Sequence, residues 1–339
     1  MSNDFDPNGV GVKNGNVFGL PYSEEESDIV VIPVPWDVTA SYGKGAAEGP
    51  SAILEASTQI DYFHPEIDKP WEVKMCLSEI SSEWKQINNN LGAKSIDYVD
   101  YLEQGNTELT NKYQSVLDEI NEASFVLKEL VKQKVNSLLN NNKKVGLLGG
   151  EHSTALSLIE ALSEKYDDFG VLQIDAHADL RKAYEGFTYS HASIFYNAIQ
   201  LPQITSLVQV GIRDICEEEV SLINKDDRIH TFYNHHLSQL KFGGKNWKLI
   251  CEDIVSKLPQ NVYISFDIDG LLPYYCPNTG TPVPGGLEFD EAIYLLNVLK
   301  QSGKNIIGFD LCEVAPDSQT EWDANVGARM LWQLMLLLK

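Results

Sequence analysis

The sequence lacks a disulfide framework. Its five cysteines, Cys76, Cys216, Cys251, Cys276 and Cys312, contain no C-x-x-C pair, and an odd number cannot pair completely. That pattern fits thiols in a core or loop of a protein in a reducing compartment. No stretch reaches the run of about 18 apolar residues that a membrane-spanning helix needs. Residues 1–27 have no basic start followed by an apolar run, so the expectation is a soluble, cytoplasmic protein. Positive charge is also scarce, with 26 Lys and Arg against 49 Asp and Glu for a formal net charge of −23. This balance disfavours nucleic acid and concentrates small cations near the surface.

What is present is a folded-globule composition, 43% hydrophobic over 339 residues, with no internal repeat and no domain-sized break. Residues 1–27 read as an N-terminal arm and 28–339 as one domain. Within it Asp28–Val34 reads as a buried strand closed by prolines, and a glycine-rich loop from Ser41 leads to a short helix through Ser57. Residues 81–111 turn polar with little regular period and read as an excursion at the domain edge. A helix with one apolar stripe follows over 113–138. Strands and helices then alternate: strands at 144–148, 169–174, 207–212, 261–266 and 306–312, helices at 153–166, 247–258, 289–301 and 322–338. Such alternation predicts a three-layer α/β/α architecture around a mostly parallel sheet, with ligands gathering at the carboxyl ends of the strands.

The chain is organised around Val171-Leu-Gln-Ile-Asp-Ala-His-Ala-Asp179, an apolar strand ending in Asp175, His177 and Asp179 spaced two apart. If strand geometry persists, all three side chains leave on one face. Desolvating such carboxylates without partners costs several kcal/mol, and a bound cation is the simplest remedy. A strand running into an ordinary polar turn is the competing reading of this stretch alone. Three further strands end in the same way: at Gly149-Gly-Glu-His-Ser153, at Asp267-Ile-Asp-Gly270 and at Glu313. On a parallel sheet all four endings open on one edge. Two imidazoles, His152 and His177, and four carboxylates, Asp175, Asp179, Asp267 and Asp269, exceed the needs of one divalent ion. Oxygen and imidazole donors without cysteine favour Mn²⁺ over a structural zinc, with nickel, iron or cobalt as other candidates.

Gly149-Gly-Glu-His-Ser153, Asp175-Ala-His-Ala-Asp179 and Ser265-Phe-Asp-Ile-Asp-Gly270 closely resemble the three metal motifs of the ureohydrolase (arginase and agmatinase) family. Similarity extends to Tyr184-Glu-Gly, Ser190-His-Ala-Ser193, Thr279-Gly-Thr-Pro and Glu313-Val-Ala-Pro316, spanning roughly residues 28–338. The resemblance implies an arginase/deacetylase-like fold and two Mn²⁺ per chain. One ion would be held by His152, Asp175, Asp179 and Asp267, the other by Asp175, His177, Asp267 and Asp269. It further implies that a hydroxide shared by the ions attacks a guanidinium carbon to give urea and an amine. Glu313 would pair with the guanidinium, His191 would shuttle protons, and Asp179 would orient the nucleophile and pass a proton to the leaving amine. Family members commonly form trimers or hexamers.

The loop Leu180–Ser190 contains no Asn, so the pattern by which arginases hold the amino and carboxylate groups of arginine is missing. Its Tyr-Glu-Gly and Ser-His-Ala-Ser elements look like bacterial agmatinases, which makes agmatine the expected substrate. Arginine comes second, because Gly211-Ile-Arg-Asp214 resembles the arginase form of that strand end, although Cys216 and Leu272 replace expected aspartates. Guanidinobutyrate or another guanidino acid comes third. A deacetylase-like amide hydrolase with a single zinc and a non-catalytic metal-binding relative are the readings from other classes. His64, His230, His235 and His236 fall outside the motifs and read as ordinary surface or connecting residues, the last two in a polar connection.

Overall fold

A computed structural model describes residues 5–339, so the first four residues of the expected arm lie outside the described part. The rest of the arm drapes over the body and buries Val17, Phe18 and Leu20. Strand β1 (Ile29–Val34) is followed by α1 (Gly49–Ser57), whose Pro50 sits in the first turn, where a missing N–H costs nothing. Next come the short β2 (Met75–Leu77), α2 (Ser82–Glu103) and α3 (Asn111–Asn140). Then β3 (Lys144–Gly149), α4 (Leu156–Lys165), β4 (Phe169–Ile174), α5 (Ile194–Ala198) and β5 (Ile204–Val210) follow. The chain closes with α6 (Glu217–Ile223), β6 (Ile229–Phe232), α7 (Asn234–Phe242), α8 (Trp247–Ser256), β7 (Asn261–Asp267), α9 (Phe289–Gln301), β8 (Asn305–Cys312) and α10 (Trp322–Leu337).

The strands form one sheet in the order β2-β1-β3-β8-β7-β4-β5-β6, and every pairing is parallel. The expectation of a mostly parallel sheet therefore holds in stricter form. Pro33 sits inside β1 without cost, because β2 pairs only with Ile29–Val31 and leaves no partner waiting for an N–H at position 33. Two apolar cores cover the two faces. One gathers α1, α8, α9 and α10 around Trp332 and Phe309; the other gathers α3, α4 and α5 around Trp36 and Phe195. The sheet order carries the functional consequence: β3, β8, β7 and β4, the four strands with charged endings, are consecutive neighbours at its centre.

Two expectations need correction. Residues 81–111, read as having little regular period, are largely regular: most of them make the 22-residue helix α2, capped by Ser81 accepting from the Trp84 amide at 3.2 Å. Its buried stripe runs through Asn88, Leu91, Gly92, Ser95, Tyr98 and Val99, so polar and small residues occupy inward positions and hide the helical period. The His235–His236 pair lies not in a connection but on α7, with both rings exposed as expected of surface residues. The five thiols are free, four of them buried. Among the described residues no helix is long and apolar enough to cross a membrane.

Candidate active site

Each of the four central strands delivers its functional side chain through a turn that the local sequence requires. Beyond β3, a Cβ on Gly150 would lie 2.0 Å from the Trp36 carbonyl oxygen, so only glycine lets this chain pass β1 and place Glu151 and His152. Beyond β4, Asp175 Oδ1 accepts from the His177 amide at 2.7 Å, a local turn that ends the extended run. Asp179 then takes a positive φ of 54°. Strand geometry thus stops before Asp179, and the three ligand-type residues converge through a turn rather than along one face. Beyond β7, Asp267 Oδ1 accepts from the Asp269 amide at 2.8 Å and Asp269 Oδ1 accepts from the Ala176 amide at 3.0 Å, joining this ending to that of β4. Beyond β8, Glu313 has a φ of 64° and its Oε1 accepts from the His152 amide at 2.8 Å.

The side chains form two groups that meet at one residue. His152, Asp175 and Asp267 each offer a ligand atom within 4.8 Å of the others, and Asp175, His177 and Asp269 do the same. His152 Nδ1 lies 2.9 Å from Asp179 Oδ2, 3.1 Å from Asp175 Oδ2 and 3.4 Å from Asp267 Oδ2. His177 Nδ1 lies 3.0 Å from Asp269 Oδ2. All six sequence-predicted ligands are therefore brought together, and all but His177 are buried.

Electrostatics sharpen the case for a cation. Burial pulls the two imidazoles down, but the surrounding carboxylates outweigh it. Asp175 and Asp179 raise His152 well above its ordinary value, and Asp269 and Asp175 hold His177 up at about 12. Burial, with Asp269 and Asp175 adding to it, drives Asp267 well above the usual carboxylate range. Burial and Asp175 push Asp179 up to about 7. The site without a metal is thus forced to hold protons, which a divalent ion would replace.

The surroundings fit that ion. Ser265 Oγ donates to Asp310 Oδ2 at 2.7 Å, as does Tyr263 Oη at 2.6 Å, and the serine's lone pair meets His152 Nε2 at 2.9 Å. With Nε2 carrying its proton toward Ser265, the lone pair of Nδ1 points into three carboxylates, an arrangement that only a cation or a further proton reconciles. Asp310 is fully buried, and its Oδ1 lacks a hydrogen-bond partner while lying 3.6 Å from His152 Nε2. Arg213 ties the loops together, donating to the carbonyls of Gly211, Asp269, Leu271 and Val283.

His177, Asp179 and His191 line one cleft of about 140 Å³, with Ser41, Arg181, Tyr184, Asp214, Glu219 and Thr281. Burial, with His177 adding to it, lowers His191 to about 4, so its imidazole is neutral at pH 7. Burial and the neighbouring Glu151 raise Glu313 well above the usual range. Sequence reasoning missed Thr39, Glu151, Ser265 and Asp310 as part of the site. Glu151 and Ser265 sit within or beside the strand-end motifs, and Asp310 carried the signal of a charge in the interior of an apolar strand; Thr39 carried none.

The arginase family model matches residues 27–337. The chain is 32% identical over 306 residues to N(1)-aminopropylagmatine ureohydrolase of Thermus thermophilus, covering 89% of this chain and 88% of the relative. It is 29% identical to the agmatinase of Halalkalibacterium halodurans, covering 96% of both chains. A crystal structure of a hypothetical agmatinase from Burkholderia thailandensis superposes with a TM-score of 0.71 at 25% identity, covering 95% of this chain and 90% of that one. On the sheet order, the four convergent strand endings and this match over nearly its whole length, the chain belongs to the arginase family.

Proposed function

We propose that the protein hydrolyses a small cationic guanidino compound to urea and an amine at a two-metal centre. The observation that carries this reading is the pair of ligand groups sharing Asp175 beside a cleft that also holds His191. In the proposed assignment His152, Asp175, Asp179 and Asp267 hold one ion, and Asp175, His177, Asp267 and Asp269 the other. Hard oxygen and imidazole donors without sulfur suit two Mn²⁺. Divalent cations held by these residues would supply Lewis-acid chemistry, activating water at neutral pH and polarising the guanidinium.

The chain's own residues then do three things. Glu313, fixed at Oε1 by the His152 amide, pairs with the substrate, since a carboxylate suits the planar guanidinium fork. His191, neutral at pH 7, accepts and returns a proton. Asp179 orients the nucleophile and passes a proton to the departing amine. The alternative of a one-metal deacetylase-type centre is disfavoured by the presence of two ligand groups, with His152 in one and Asp269 in the other.

Agmatine, or an agmatine extended at its amine as in the Thermus relative's name, is the proposed substrate. The cleft lining carries three carboxylates, of Asp179, Asp214 and Glu219. Its one arginine, Arg181, stacks 4.8 Å over the Tyr184 ring and lies 3.8 Å from Glu219, so it is already engaged. A carboxylate-bearing substrate finds little to hold it. The protein is further proposed to act in the cytoplasm as a homo-oligomer, a trimer or hexamer, a point light scattering checks. Urea release with agmatine, aminopropylagmatine, arginine and 4-guanidinobutyrate side by side tests the substrate. Preference for either carboxylate-free compound supports the reading, and preference for arginine or guanidinobutyrate refutes it.

A further inference from the structure

Glu151 and Thr39 are both fully buried at the rim of the site, yet neither holds metal nor contacts substrate in the roles above. A buried carboxylate needs strong donors to persist. Glu151 has three: the Thr39 amide on Oε2 at 2.8 Å, the Thr39 hydroxyl on Oε1 at 2.8 Å and the Ser153 hydroxyl on Oε1 at 2.6 Å. A hydroxyl has a single proton. Because the Thr39 proton goes to Glu151, the lone pairs of Thr39 Oγ1 are what remain on its other side. There they accept from the His191 amide at 3.1 Å and face His191 Nδ1 at 3.5 Å. Ser190 Oγ, 3.4 Å from the same nitrogen, accepts from the Ala192 amide and keeps a rotatable proton that suits either ring tautomer, so the choice falls to Thr39.

We propose that Thr39 and Glu151 are positioning residues that lock His191 in the tautomer with its proton on Nδ1, leaving Nε2 as the atom that takes and returns the reaction's proton. The inference rests on the proposed shuttle role of His191 and specifies how the fold sets it. Glu151 orients the threonine hydroxyl, the hydroxyl orients the ring, and of the two tautomers only an Nδ1–H complements the lone pair that Thr39 offers. The arrangement also explains a buried glutamate directly before a ligand histidine.

The test uses the full chain and a conservative pair of variants, Thr39→Val and Thr39→Ser, each alone and with His191→Ala. In ¹⁵N-histidine spectra of the Mg²⁺-loaded protein, the His191 signals, assigned by their loss in His191→Ala, should show Nδ1 protonated in the parent and in Thr39→Ser. A tautomer mixture should appear in Thr39→Val. With the Mn²⁺-loaded protein, Thr39→Val should lower kcat about tenfold and leave KM and metal content within twofold, and Thr39→Ser should restore kcat. In the His191→Ala background, Thr39→Val should change kcat by less than about twofold, because its effect passes through the ring. An Nε2–H tautomer in the parent, an unchanged kcat in Thr39→Val, or losses that multiply in the double variant would overturn the proposal. The predicted tautomers together with no urea from any guanidino compound would sustain the relay and overturn the proposed function instead.

Discussion

His152 Nε2 meets Ser265 Oγ at 2.9 Å, and this one contact decides what the opposite ring nitrogen can do. Since the Ser265 hydroxyl donates to Asp310, His152 supplies the proton to Ser265 and keeps Nδ1 free for a cation among Asp175, Asp179 and Asp267.

Ser265→Ala and Asp310→Asn should therefore weaken metal binding without touching a ligand. Loss of such an outer partner costs about 10–100-fold in affinity. Calorimetric titration with Mn²⁺ measures it, and unaltered affinity in both variants would show that the ring is held by other means.

Asp175 belongs to both ligand groups, whereas His191 belongs to neither. Asp175→Asn should abolish binding of both ions and reduce urea production to background. His191→Ala should retain both metals while slowing turnover about 10²–10⁴-fold. Metal analysis beside initial rates separates the two. Loss of metal in His191→Ala would mean that this histidine belongs to the centre.

Proton linkage gives a third expectation. His152 and His177 are raised in the site without a metal, so both are protonated at pH 7 there, and each must lose its proton to bind. Metal uptake at pH 7 should release at least about two protons per chain, and apparent affinity should fall as pH falls. Repeating the titration in buffers of different ionisation enthalpy counts the protons. Zero release would contradict ligation through these rings.

The sheet and its charged edge were legible because they rest on signals that tertiary context does not hide. Phe169–Ile174 and Phe289–Gln301 sit where apolar runs and periods place them, and each strand-end motif lies just past a buried strand. Helix α2 was not legible, because its inward face is built from Asn88, Gly92 and Ser95 as much as from Leu91 and Val99. Edge strands β2 and β6 are only three and four residues long, too short for a pattern. At the site, the ligands announced themselves by residue type and spacing. Thr39 could not, since its contact with His191 joins residues 152 positions apart.

Helix α2 has a consequence for the cleft. Tyr98 Oη donates to the Glu185 carbonyl at 2.8 Å, and Asn121 of α3 donates to the Gly186 carbonyl at 3.1 Å, so the two helices brace the loop that carries Tyr184. Gly186 has a φ of 85°, and a Cβ there would lie 2.9 Å from a Leu117 methyl. Gly186→Ala should therefore cost about 1 kcal/mol or more in stability and raise KM, with both metals kept. Chemical denaturation and substrate kinetics test this; an unchanged KM would separate the brace from the site.

The central claim is a two-ion centre that produces urea, and the most direct measurement is urea release from agmatine as a function of Mn²⁺ bound per chain. Such a centre gives negligible activity without metal and full activity only as the second ion binds. Full activity with one ion or none, or two bound ions with no urea from agmatine or any other guanidino compound, would contradict it.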